Sequence, residues 1–271
     1  MIKRYHEAPK AIFNQVQQYT DGDYALVHLF ETDQEYFSLF KQAVADGRDV
    51  ILDNSIFELG ESFDHDRYAY WINQLKPTWY IVPDVWKNGP ATAKMFEEFF
   101  SKHPKESLHG KVIGVAQGYT PEEVAECYRA IEPYCDMIAF NLDFATQADV
   151  PEYGIPYCLR MSLGRRRVLG ILLDAGVINQ SKPHHLLGCG VPQELAWYPK
   201  SWTWVRSMDT CNPVLHGMLG HRYSLNLPGM SYKVTEPKMC ECMDCAITEE
   251  QWRDIRFNLT QIECYEDLRG E

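Results

Sequence analysis

The chain alternates short apolar segments with longer amphipathic ones, and this alternation limits its fold more than any other feature. Eight segments have the length and apolar character of strands that are buried in a sheet. They are 24–29, 49–53, 79–84, 111–117, 136–140, 156–161, 184–188 and 204–209. Helical patterns separate most of them. The rhythm predicts an α/β protein with a (β/α)8 barrel, the TIM-barrel fold, and a doubly wound open sheet is the alternative.

The segments between the strands carry helix signals. Helices are predicted over 33–46, 64–76, 90–101 and 165–176. Another helix follows the fourth strand, where Thr120 is placed to cap the helix, Pro121 to begin it and Glu123 to complete a capping box. Gly176 suits the C-terminal cap of the helix before the seventh strand. These signals fix where the chain turns back toward the next strand.

Composition narrows the class of protein. The chain has 271 residues, of which 45% are hydrophobic, so it can bury a sizeable core and is not expected to be disordered. The net charge of -12 argues against a nonspecific nucleic-acid coat, although a local basic patch is compatible with it. No apolar run is long enough to span a bilayer, and residues 1–7 lack the apolar core of a signal peptide. We therefore expect a cytoplasmic protein without membrane partners.

Polar side chains stand at the ends of several predicted strands. Asp53, Asp84, Gln117, Asn141 and Asp209 each end or follow such a segment. In a parallel barrel these ends meet at one mouth, where barrel enzymes place their chemistry. Two carboxylates in one pocket suit the breaking of a glycosidic bond, because one can attack the sugar carbon while the other moves protons. The alternative interpretation is that these residues cap helices and form turns.

Three closely spaced cysteines follow the barrel segment. Cys240, Cys242 and Cys245 have the spacing Cys-x-Cys-x-x-Cys, which can bring three thiolates to one tetrahedral ion, and thiolates favour zinc. We predict a structural Zn²⁺ in a subdomain over 226–271, packed on a catalytic barrel over 1–225. The candidates for the fourth ligand are Cys264 on the last helix and, upstream, His216 and His221.

Basic side chains cluster at two places in the chain, and two histidines are adjacent at a third. Arg165, Arg166 and Arg167 form the densest basic cluster, either as a phosphate contact or as the solvated first turn of a helix. A second set of basic candidates lies around the cysteines and consists of Arg222, Lys233 and Lys238. His184 and His185 are neighbours on one strand and point to opposite faces, so they do not share a metal ion. One is expected in the core and the other at the surface.

The order of several motifs resembles the tRNA-guanine transglycosylase family. The segments that carry the resemblance are Asp53–Glu58, Gly114–Gly118, His185–Pro192, Met208–Asp209 and Cys240–Cys245. The first keeps the Asp and the Phe of the family's Asp-Ser-Gly-Gly-Phe-Gln, and Leu186–Gly190 is similar to its Leu-Met-Gly-Val-Gly. The family is a zinc-containing (β/α)8 barrel that exchanges guanine for a 7-deazaguanine base. The resemblance covers most of the chain in the right order.

The resemblance implies a role for each motif residue. Asp209 would attack the sugar as the nucleophile, and Asp53 would serve as general acid and then general base. The base-binding residues would be Asp84, Gln117, Gly118 and Asn141, with Phe57 and Met208 stacking on the base. The zinc would be held by Cys240, Cys242, Cys245 and a fourth ligand. A homodimer is implied by the resemblance alone.

Departures from the family pattern indicate whether the substrate is tRNA or DNA. The chain is short for a member that acts on tRNA, and we expect it to lack the added RNA-binding domain of such members. Phe257-Asn258 stands where the family has its zinc histidine, and Phe140-Asn141-Leu142 replaces a Gly-Gly-Leu stretch. Compact, divergent chains of this kind are similar to phage-encoded DNA-guanine transglycosylases, which insert bases such as preQ0 into DNA. The resemblance thus implies DNA and a free 7-deazaguanine base as partners, and for a phage protein the host cytoplasm.

Other functions stay open at this point. The chain could act on tRNA, or it could be a noncatalytic base-binding or accessory subunit that retains the pocket. A third possibility is an unrelated zinc-stapled barrel hydrolase that acts on a small nucleoside. The sequence contains both Asp53 and Asp209, as a catalytic protein requires.

Overall fold

Eight parallel strands close into a barrel in the order of the chain. A computed structural model describes residues 1–143, 157–223 and 236–270. The strands are β1 (Lys3–His6), β2 (Gly22–Leu26), β3 (Asp49–Asp53), β4 (Trp79–Ile81), β5 (Lys111–Val115), β6 (Met137–Phe140), β7 (His184–Leu186) and β8 (Val205–Asp209). β8 pairs with β1 and completes the ring, with Tyr5 opposite Asp209. The predicted (β/α)8 barrel is confirmed.

Helices surround the barrel in the described part of the chain. They are α1 (Phe13–Val16), α2 (Gln34–Ala45), α3 (Ile56–Leu59), α4 (His65–Leu75), α5 (Gly89–Lys102), α6 (Pro121–Ile131), α7 (Tyr157–Asp174), α8 (Gln193–Ala196), α9 (Asn212–Met218) and α10 (Glu249–Asp267). Short 3-10 turns occur at Lys10–Ile12, Gln17–Tyr19, Val27–Glu31, Lys105–Ser107, Glu132–Tyr134 and Met239–Cys242. The Thr120 side chain caps α6 by accepting from the Glu123 amide, as the sequence predicted. None of the described helices is long and apolar enough to cross a membrane.

Two predictions about the strands were wrong. Residues 157–161 belong to α7 and not to a sixth strand, because a short apolar run fits a helix face as well as a strand. The strand that completes the barrel is β1, at Lys3–His6, which the sequence analysis missed. Its first two residues, Lys3 and Arg4, are charged, so the segment does not read as an apolar strand. The predicted number of eight strands was right, but β1 takes the place of the strand predicted at 156–161.

The apolar side chains form two layers. Inside the barrel, strand residues including Tyr5, Tyr24, Ile51 and Met137 fill the interior. Between the barrel and the helices lies a larger core. This outer core includes Met243 and Ile255, so the described C-terminal segment shares one core with the barrel.

The pairing of β7 with β8 contains an irregularity beside the site. His184 pairs with Val205, but His185 pairs with Ser207, so Arg206 is the extra residue of a β-bulge. Bulges re-aim neighbouring side chains. As a result His185 lies next to the inward-facing residues Ser207 and Asp209.

Candidate functional site

A cavity of about 240 Å³ opens at the carboxyl ends of the strands. All five polar residues that the sequence placed at strand ends line it, namely Asp53, Asp84, Gln117, Asn141 and Asp209. They come from β3, the segments after β4, β5 and β6, and the end of β8. The closure of the barrel brings together side chains that are far apart in the chain, as a binding pocket requires.

Asp209 is held at one of its two oxygens. His185 Nε2 lies 2.9 Å from Oδ1, and the Gly188 amide donates to the same oxygen over 3.0 Å. The other imidazole nitrogen, Nδ1, lies 2.8 Å from the Ser207 hydroxyl. No hydrogen-bond partner of Oδ2 is found among the described residues. The carboxylate is therefore oriented with one oxygen anchored and the other available toward the cavity.

Asp53 is buried and held at both oxygens. The Tyr24 hydroxyl contacts Oδ2 over 2.5 Å, and the Ser55 amide donates to Oδ1 over 2.5 Å. Ser55 has a φ of 61°, a left-handed conformation that a non-glycine residue rarely adopts and that is typical of functional loops. Burial, and next the charge of Glu58, raise the pKa of Asp53 to about 8. A carboxyl group with this pKa is protonated at neutral pH and can donate a proton.

Two buried rings lie side by side between Asp53 and Asp209, and each ring contacts one of the two carboxylates. The rings of Tyr24 and His185 are nearly parallel, with centroids 6.5 Å apart and an interplanar angle of 9°. Tyr24 contacts Asp53, and His185 contacts Asp209. The two rings thus fix both carboxylates from the barrel interior.

A chain of amides surrounds the third carboxylate. Asn54 Nδ2 donates to Oδ1 of Asp84 and Gln117 Nε2 donates to Oδ2, each over 2.7 Å. Gln117 Oε1 in turn accepts from Asn141 Nδ2 over 2.6 Å and from the Lys87 amide over 3.0 Å. Burial raises the pKa of Asp84 to about 6, and the two amides counteract this rise. Each carboxylate oxygen can accept a second hydrogen bond, so Asp84 can still bind the N–H groups of a ligand.

Aromatic side chains stand at the rim of the cavity. Phe57 is 40% exposed, and its ring lies 5.8 Å from that of Trp86. Lys238 Nζ lies 5.6 Å from the Phe57 ring centroid and donates to the Glu58 carbonyl over 3.0 Å. Phe57 is accordingly placed where a planar ligand could stack on entering.

Two predicted base contacts lie elsewhere. Met208 is fully buried in the core between the barrel and the helices, since neighbouring strand residues face opposite sides and Asp209 faces inward. Gly118 is absent from the cavity wall, and a Cβ there would lie 2.5 Å from the Val124 amide. Gly118 is therefore required for close packing against α6, and neither Met208 nor Gly118 lines the cavity.

The prediction for the arginine cluster is wrong in part. Because α7 begins at Tyr157, Arg165–Arg167 lie in its third turn and not in its first. Arg165 is completely buried, donates twice to Glu194 over 2.7 and 2.9 Å, and also donates to the carbonyls of Phe140 and Leu187. It therefore cannot reach a phosphate. It fixes the segment that carries Gly188.

The other basic candidates differ in accessibility. Arg166 is half-buried, donates to the Trp197 carbonyl and lies 4.0 Å from the Trp202 ring centroid. Arg167 is exposed. Arg222 is exposed and pairs with Asp254 over 2.6 Å. Lys233 lies outside the described residues. Arg167 is thus the most accessible of the predicted arginine cluster.

The cysteine segment brings two of its thiols together. Cys242 and Cys245 share a hydrogen bond, and burial raises the pKa of both Cys240 and Cys242 to about 11. Cys264 contacts the Thr260 carbonyl within α10. Among the described residues, no group of three or more His, Cys, Asp or Glu side chains is arranged to hold a metal ion. The three thiols suit zinc by their chemistry, and the zinc site stays a prediction.

Asn258 belongs to the pair that stands where the family has its zinc histidine, and it lies beside two candidates for the fourth ligand, His216 and His221. Asn258 is buried, accepts from the Tyr223 amide over 2.8 Å and donates to the His221 carbonyl over 2.8 Å. The His216 ring is buried against the rings of His221 and Tyr223. Asn258 thereby ties α10 to the segment after α9.

The sequence analysis missed three residues of the site. Tyr24, Ser55 and His185 hold the catalytic candidates, but none belongs to the strand-end pattern. The expectation that one of the two histidines is at the surface was wrong, because both are fully buried. His184 faces the helices and contacts the Tyr128 hydroxyl over 3.0 Å, as opposite faces of a strand require.

Comparison with models of protein families and with curated protein sequences finds no match to this chain.

Proposed function

We propose that the protein is a guanine transglycosylase that exchanges guanine in DNA for a 7-deazaguanine base. The observation that carries the proposal is one cavity that holds Asp53 and Asp209 together with the amide-bound Asp84. Two carboxylates supply the chemistry of a glycosidic bond, and the third supplies acceptors for a purine edge. The order of motifs that resembles the transglycosylase family supports the same assignment. The choice of DNA rests on that resemblance.

The first step would cleave the bond between the sugar and guanine. The target nucleotide leaves the base stack and enters the cavity. Oδ2 of Asp209 attacks C1′, the C1′–N9 bond breaks, and its electron pair leaves with guanine. Asp53 delivers its proton to the departing base, a role that suits a carboxyl with a pKa of about 8.

The second step would reverse these events with a new base. The incoming 7-deazaguanine gives up a proton to Asp53, and its N9 attacks C1′. The bond between C1′ and Oδ2 of Asp209 breaks, and its electron pair returns to the carboxylate. Both half-reactions use the same groups in opposite order.

Base recognition would use the chain of amides. Asp84 would accept from N1–H and the exocyclic amine of guanine, and Gln117 and Asn141 would face the carbonyl edge. A base with another pattern would leave buried polar groups unpaired, which costs about 1–3 kcal/mol for each group. Phe57 would stack on the base at the rim.

Zinc belongs to the proposal as a structural ion. Cys240, Cys242 and Cys245 would hold it with a fourth ligand. A bound Zn²⁺ would stabilise the turn that carries Lys238 and Met239, which line the cavity.

The test is incorporation of labelled guanine and of labelled preQ0 into DNA and into tRNA by the purified protein. We expect label in DNA and none in tRNA, with Asp209→Asn inactive and folded. Label in tRNA alone would retain the chemistry and refute the choice of polymer. No label in either polymer, from a folded sample, would refute the proposed function and favour an accessory or hydrolytic role.

A further inference from the structure

The two oxygens of Asp209 have unequal surroundings. Oδ1 receives the Gly188 amide at 3.0 Å and lies 2.9 Å from His185 Nε2. Oδ2 has no hydrogen-bond partner among the described residues, and Asp209 lines the cavity. A carboxylate anchored in this way presents one defined oxygen to a ligand.

His185 is itself fixed on every side. It is completely buried, its Nδ1 lies 2.8 Å from the Ser207 hydroxyl, and its ring lies against those of Tyr24 and Tyr5. Ser207 cannot act as a serine nucleophile here, because it is buried two residues below Asp209 and does not line the cavity. Its hydroxyl therefore serves to orient the imidazole.

We infer that His185 is a positioning residue that controls how the covalent intermediate breaks down, an inference that rests on the proposed function. When Oδ2 bonds to C1′, Oδ1 becomes the carbonyl oxygen of an ester and loses most of its negative charge. When the new base attacks C1′, the C1′–Oδ2 bond breaks and its electron pair returns to the carboxylate. The donors at Oδ1 stabilise that returning charge, as donors placed where charge develops do.

Loss of a donor at Oδ1 should affect the two half-reactions unequally. A donor at Oδ1 stabilises the free carboxylate more than the ester. Its removal therefore favours the covalent adduct over the free enzyme, and it slows breakdown more than formation. A hydrogen bond to a charged group contributes about 1.5–3 kcal/mol, which corresponds to a loss of turnover on the order of 10- to 100-fold.

The chain offers matched variants for the test. In His185→Gln the side-chain amide reaches the place of Nε2 and still donates to Asp209. In His185→Asn the amide reaches only the place of Nδ1 and contacts Ser207 instead. His184→Asn removes a buried imidazole from the neighbouring residue on the opposite face, where it contacts Tyr128, and serves as the control for general destabilisation.

The experiment measures turnover and the steady-state fraction of protein in covalent adduct, using labelled guanine, a guanine-containing DNA oligonucleotide and a denaturing gel. We expect His185→Asn to lower turnover 10- to 100-fold while its adduct fraction rises. His185→Gln should stay within about 10-fold of the wild type, and His184→Asn should keep the wild-type adduct fraction. Ser207→Ala should change both quantities in the same direction as His185→Asn, by less.

Two results would overturn the inference alone. One is a fall of adduct and turnover in proportion in His185→Asn and in Ser207→Ala, and the other is equal behaviour of His185→Asn and His185→Gln. A wild-type protein that forms no adduct and exchanges no base in DNA or tRNA would overturn the proposed function and the inference with it. The wild-type sample therefore separates the two failures.

Discussion

Replacing Asp53 by Asn should stabilise the protein, and the gain should grow with pH. The pKa of Asp53 is raised to about 8 by burial and by the charge of Glu58, whereas an aspartate in an unfolded chain has a pKa near 4. The asparagine fits the same contacts, because its oxygen can accept from the Ser55 amide while its Nδ2 donates to the Tyr24 hydroxyl. The variant therefore removes the ionisation and keeps the hydrogen bonds.

The direction in which the free energy of unfolding changes with pH follows from proton binding. The folded protein holds the Asp53 proton more tightly than the unfolded chain does. The free energy of unfolding of the wild type therefore falls between about pH 4 and pH 8, by up to about 1.4 kcal/mol per pH unit. The pKa difference of about four units sets the total loss on the order of 5 kcal/mol. Asp53→Asn lacks this loss.

The assay is urea unfolding of both proteins at pH 5, 6, 7 and 8. We expect a small difference in the free energy of unfolding at pH 5 and several kcal/mol in favour of Asp53→Asn at pH 8. Glu58→Gln, which keeps Asp53 but removes the neighbouring charge, should show a smaller fall of stability with pH than the wild type. A difference between Asp53→Asn and wild type that does not change with pH would refute the protonated state of Asp53.

Three further predictions follow from the same structure. Asp84→Asn should cost about 1–3 kcal/mol in urea unfolding and abolish exchange, because its new amide faces the donor of Asn54 or Gln117. Unchanged stability would contradict this network. Elemental analysis should find one Zn²⁺ per chain, and Cys242→Ala should lose it and melt at a lower temperature. A metal-free wild type that is fully folded would contradict the zinc prediction. Arg167→Glu should weaken DNA binding and reduce its salt dependence, and an equal salt slope would exclude this residue as a phosphate contact.

The sequence anticipated the barrel because its signals are local. Segments such as Asp49–Asp53 contain consecutive apolar, strand-forming residues between their terminal aspartates. Thr120 caps α6 through a residue three positions away. The sequence pattern did not predict β1, because Lys3 and Arg4 interrupt its apolar residues. Residues 157–161 were misassigned because the same apolar run continues into the face of α7.

The strand-end residues could be assigned to one mouth before the structure was known. The topology of a parallel barrel places the ends of all strands on the same side, so Asp53, Asp84 and Asp209 had to approach one another once the strands were recognised. The anchors of these carboxylates could not be assigned. Tyr24 and His185 lie inside strand patterns, where a buried aromatic or imidazole gives no sign of the partner that it meets across the barrel.

The sequence by itself determined seven of the eight strands, the capped start of α6 and the polar groups that stand at strand ends, because propensity, capping and period depend on neighbours in the chain. Tertiary structure alone decided that Arg165 is buried on Glu194, that Met208 faces the helices and that His185 lies 2.9 Å from Asp209. The burial of Arg165 depends on the packing of α7 against α8. The orientation of Met208 and the contact of His185 with Asp209 depend on the register of β7 against β8, and in particular on the bulge at Arg206. A shift of one residue there turns a side chain from one face of the barrel to the other, and only the closed ring of eight strands sets that register.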